Sequence, residues 1–153
     1  MNGREDKRDN DLFFVCGLIE YIARKTLNHR DAVVNAIGKD GLTHIYELAD
    51  VYHCENIDKI TKRFIMEYSI PSGDFDNIAY CQYHIPSHWD IGKVYKRLIL
   101  DICGKQGTDI IHTLMEVYQS FISREIENLN SSAYFENPAY LYESFVNGEM
   151  ILE

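Results

Sequence analysis

The chain has 153 residues, 46% of them hydrophobic and 25% charged, enough apolar material to build one folded domain and too much for a disordered chain. Its 15 Lys and Arg stand against 24 Asp and Glu, for a net charge of -9. A field of that sign repels phosphate backbones, so general nucleic-acid binding is not expected, whereas a basic protein surface would be attracted.

Residues 1–10 read as a charged N-terminal tail. Met1 to Asp11 lacks the apolar character of a secretory leader. The first helix is expected to take Asn10 or Asp11 as its cap and to run to about Leu27, with Leu12, Val15, Leu18, Ile19, Ile22 and Ala23 at helical spacing. Phe13, Phe14 and Cys16 widen its apolar face, which predicts a central element or a surface for a second subunit. Gly17 and Glu20 interrupt that face, and its apolar run is shorter than the ~20 residues that cross a bilayer, so no membrane span is expected.

Asn28 with Asp31 three residues on resembles a capping pair for a second helix that stops near Gly38. A third helix is predicted over Leu42–His53 and a fourth from an Asn56 cap, carrying Ile57, Ile60, Phe64 and Ile65. Together they form an N-terminal helical block over 11–70. The period then fails over 71–88, where Pro71, Gly73 and Pro86 predict an irregular connection with a short extended stretch at Ile78–Ile85.

The C-terminal block, 89–153, opens with a second capping pair, Ser87 and Asp90. Ile91, Val94, Tyr95, Leu98, Ile99 and Ile102 follow as a helical stripe down to Gly104. One long helix is predicted from Thr108 to about Asn130, and a last one from the Asn137-Pro138 cap to Asn147-Gly148. The whole reads as an all-α bundle of about six to seven helices, most simply one compact domain.

Phe13 to Tyr21, the Gly41-Leu42 turn and Ala49-Asp50-Val51-Tyr52-His53 followed by Ile57 and Ile60 resemble a small helical bacterial family. That family is described only as a domain of unknown function and is often encoded beside proteins that resemble ADP-ribosyltransferases. The resemblance spans about residues 11–68 and assigns no catalytic residues. It implies a bacterial, intracellular protein with a protein partner; Trp89 to Tyr95 would belong to a second module.

Gln106 to Glu153 holds eight acidic residues against Arg124 alone, mixed with aromatic side chains. Tyrosines bury a large area while keeping a polar tip, so Tyr134, Tyr140 and Tyr142, with Phe135, Glu136 and Glu143, suit an interface, although a helix docked on the core would show the same residues. Trp89, the sole tryptophan, reads as a staple at a helix start or as a partner anchor. Lys93, Lys96, Arg97 and Lys105 form the one basic cluster, expected to solvate a helix face.

Two constellations point to chemistry instead. Cys81, His84 and His88, with His53 as a fourth ligand, would suit tetrahedral zinc, although the paired C-x2-C of a zinc ribbon is absent. Arg24 and His29 have the R-x4-H spacing seen in helical ribonucleases with the HEPN nucleotide-binding fold, although a helix end attracts such cations in any protein. The four cysteines are far apart and fit a reduced cytoplasm. The expectation is a non-catalytic binding or regulatory module, antitoxin-like or accessory to a basic effector. A metal-dependent or nuclease-type enzyme is the alternative.

Overall fold

A computed structural model describes residues 3–151, and among these it is helical with no strand. The first helix, α1 (Gly3–Thr26), begins inside the segment read as a tail. Lys7 pairs with Asp11 one turn on, at 3.0 Å, which carries the helix through polar sequence. α1 is central as expected: its apolar residues from Leu12 to Ala23 are buried by α2 (Arg30–Glu47), α3 (Ala49–Tyr52), α4 (Ile57–Glu67) and α5 (His88–Gln106) of the same chain.

α2 is two helices run together across a kink at Gly38, where the second predicted helix was expected to stop, and the predicted third helix, Leu42–His53, is divided at Leu48 between the second part of α2 and α3. Gly38 breaks it at φ 76°, ψ 171°, a conformation costly for any side chain, and the helix resumes at once. The expected Asn28 cap is not used. His29 holds the cap position, while Asn28 Nδ2 donates to Thr26 Oγ1 at 2.9 Å and to the Pro71 carbonyl at 2.6 Å. Asn56 does cap α4, accepting from the amides of Asp58 and Lys59.

The chain from Ser69 to Ser87 contains no helix, and the stretch expected to be extended is a turn through Tyr80 followed by irregular chain, with no strand. Hydrogen bonds to α1, to the end of the helix that closes at Glu127 and to the turn after it hold this segment. Asn77 Nδ2 donates to the Glu127 carbonyl, Arg24 to the Pro86 carbonyl, and Asn130 exchanges hydrogen bonds with the Tyr80 carbonyl and the Gln82 amide.

α5 starts with the predicted capping box: Ser87 Oγ accepts from the Asp90 amide at 3.0 Å and Asp90 returns the bond at 2.9 Å. It passes Gly104 and ends at Gly107, φ 67°. α1 and α5 cross almost in backbone contact, because Gly17 faces Gly92. The predicted long helix is two, α6 (Ile110–Tyr118) and α7 (Phe121–Glu127). Ser120 Oγ donates to the Val117 carbonyl and accepts from the Ile122 amide, ending one helix and capping the next. A 3-10 turn (Ala133–Phe135) and α8 (Pro138–Asn147), capped by Asn137 and closed by Gly148, complete the fold.

Candidate functional site

The C-terminal aromatic residues divide into two groups. Ala133 is buried and anchors the 3-10 turn, which holds Tyr134 and Phe135 edge to face, with ring centroids 4.9 Å apart. Phe135 remains 66% exposed. Together with Glu136 these rings form one wall of a cleft of about 400 Å³; Lys93, Val94 and Arg97 of α5 form the other, with His84, Pro86 and Asp90 at its end.

Tyr140, Tyr142 and Glu143 are not part of this cleft. The Tyr140 hydroxyl donates to the Ile151 carbonyl, and Lys105 Nζ sits 4.0 Å from the centre of the Tyr142 ring. Glu143 is exposed on α8. Trp89 packs instead toward α1, over Gly17 and beside Phe13, with ring centroids 5.5 Å apart.

The cleft is not the uniformly acidic surface expected from composition. Glu127, one of the eight acids of the block, is buried. Lys93 and Arg97 place two cations opposite the rings, matched by Asp90 and Glu136. The predicted basic cluster is thus turned partly toward the aromatic residues, while Lys96 pairs with Asp9 at 2.8 Å. Sequence spacing put the cations on α5 but could not show which neighbour they would face.

Arg24 and His29 stand on a polar network that the sequence did not reveal. Arg30, 1% exposed, binds Glu20 through two bonds of 2.8 and 2.6 Å, and Arg24 Nε reaches the same carboxylate at 2.9 Å. Burial opposes both charges, but the attraction between them prevails, holding Glu20 below and Arg30 above their ordinary pKa values. Glu127 receives His29 Nδ1 at 2.8 Å and the Arg30 amide at 2.6 Å. His29 also stacks on Phe75, with centroids 3.8 Å apart, beside a hollow of about 200 Å³ that Arg124 shares. Arg24 is turned away, to Glu20 and Pro86, so the R-x4-H spacing does not yield a paired Arg and His. The one available signal was Glu20, an acid inside an apolar helical run.

The histidines and cysteine proposed for zinc lie in different surroundings. Cys81 Sγ donates to the Tyr83 carbonyl, His84 lines the cleft, His88 sits edge-on to Tyr21, and His53 stacks on Phe14. Among the described residues, no three His, Cys, Asp or Glu are gathered to hold a metal. No helix among them is long and apolar enough to cross a membrane. Compared with family models, curated proteins and solved structures, the chain matches none.

Proposed function

We propose that the protein is a non-catalytic binding module and that a protein partner seats in the cleft between α5 and the 3-10 turn. The observation carrying this reading is Phe135, a large ring left two-thirds exposed at the mouth of a hollow whose other wall offers Lys93 and Arg97. An aromatic anchor beside charged groups is the usual centre of a protein contact. The net charge of -9 favours a basic partner overall, in keeping with an accessory or antitoxin-like role beside a basic effector in a bacterial cytoplasm.

The test compares the proteins retained by wild type, Phe135→Ala and a control, Tyr83→Ala, expressed in the native host and measured by quantitative mass spectrometry. A partner kept by wild type and Tyr83→Ala, lost by Phe135→Ala and released by salt supports the reading. If no protein depends on Phe135, the cleft is not the contact.

A second reading, a nuclease-type enzyme, has one observation in its favour. The Glu127 carboxylate and the Phe75 ring fix His29 as a general base would be fixed. Cleavage of single-stranded RNA by wild type and not by His29→Ala would favour that reading over the first.

A further inference from the structure

The start of α5 borders a second hollow, on the side facing α1 and α3. This groove of about 1030 Å³ is lined by the rings of Phe13, Phe14 and Trp89, and its edge carries Asp11, Asp50 and Glu55. The rings are tilted rather than stacked, with the Trp89 centroid 5.5 Å from Phe13 and 6.3 Å from Phe14.

The charges along the edge do not cancel. Lys7, the one lysine or arginine lining the groove among the described residues, is already shared by Asp11 at 3.0 Å and Asp50 at 3.6 Å. Glu55 is exposed and has no ion pair among the described residues. Among the described residues three carboxylates against one ammonium leave an excess of negative charge beside the rings, of which Phe13 already has Lys96 Nζ 5.8 Å from its centre and Phe14 is buried and stacked on His53. A neutral apolar ligand would leave those carboxylates unused, and an anion would be repelled. The complement is a cation carried on an apolar stem, and the groove has far more room than one such group fills.

We propose that this groove docks a segment of a partner polypeptide that lays an arginine or lysine, flanked by apolar side chains, against Phe13 and Trp89. The inference stands on a different face from the Phe135 cleft and does not depend on that cleft binding anything.

Trp89 is the only tryptophan, so its fluorescence reports occupancy directly. The probe is a panel of capped hexapeptides with one Arg or Lys between apolar residues, each matched by a peptide with Gln in that place. Expected are a saturable change in emission that weakens with salt, and binding weaker by about fivefold or more for the Gln peptides. The Asp50→Asn/Glu55→Gln variant, checked for unchanged helical circular dichroism, should lose a similar factor, and Phe135→Ala should lose none. Absence of a saturable response across the panel overturns the proposal, as does equal binding of the Gln peptides. Tetramethylammonium saturating as tightly as the best peptide would replace the peptide with a small organic cation. Emission that shifts with protein concentration alone would assign the groove to a second copy of the chain.

Discussion

A methyl group added to Gly92 would stand 2.6 Å from the amide nitrogen of Gly17, so α1 and α5 meet backbone to backbone. The same approach seats the Trp89 ring over Gly17, where an added methyl would lie 2.2 Å from the ring. The Gly92 contact is with backbone and cannot relax without moving a helix, whereas the one at Gly17 is with a side chain. Gly92→Ala is therefore expected to cost about 1–3 kcal/mol, against an ordinary gain for Gly→Ala in a helix. Urea unfolding followed by circular dichroism measures it, and a midpoint at or above that of wild type would disprove the close crossing.

Removing Arg30 leaves the buried Glu20 carboxylate with Arg24 alone, and removing Glu20 leaves the buried Arg30 guanidinium without the carboxylate that holds it through two bonds. Arg30→Met should destabilise by about 3–5 kcal/mol, while Glu20→Leu/Arg30→Met, which removes both charges, should recover much of the loss. A double variant no more stable than Arg30→Met alone would show that packing around Arg30, not the ion pair, is what matters.

The pH dependence has two windows. Burial, assisted by the nearby Arg24, lowers the pKa of His88 from its ordinary 6.5, so the unfolded chain takes up that proton first. Stability is thus lost as pH falls from about 6.5 toward the depressed folded value, and His88→Phe should flatten that part of the curve. Burial would raise Glu20, but Arg30 and Arg24 outweigh it. Its contribution is complete above the ordinary value of 4.5 and is lost as pH falls through the lower folded value. Thermal melts of wild type and His88→Phe between about pH 2 and 8 cover both windows.

Thiol reactivity should follow exposure. Burial pushes the Cys16 thiol up to about 12, and Cys103 is also buried, whereas Cys54 is exposed. Iodoacetamide followed by mass spectrometry is expected to label Cys54 first in the native protein and Cys16 only after denaturation. Early labelling of Cys16 would mean that α1 opens readily.

The helical class, the Ser87, Asn56 and Asn137 caps and the buried stripe of α5 could all be read from the sequence, because each depends on neighbours within a turn or two. The errors have two sources, one a contact between distant segments and the other a side chain bonding its own backbone neighbours. Asn28 looks like a cap by spacing but is drawn to Pro71, 43 residues away. Ser120 divides a continuous apolar pattern because its hydroxyl satisfies two backbone groups at once. For the candidate site, composition identified the aromatic residues and spacing put the cations on α5. Only the folded chain shows that Tyr134, Phe135 and Glu136 face Lys93 and Arg97, and that Glu127 serves the interior.

The helix-free segment after Ser69 is tied at both ends of its course. The Gly73 and Phe75 amides bond to the Thr26 and Leu27 carbonyls, and Asn77 and Gln82 are held from the far side by Glu127 and Asn130. The amide protons of Gly73, Phe75 and Gln82 should therefore exchange with solvent about as slowly as those of the neighbouring helix ends, and more slowly than those of the exposed stretch from Tyr83 to Ile85. A gene split at this segment would yield two fragments that need each other to fold.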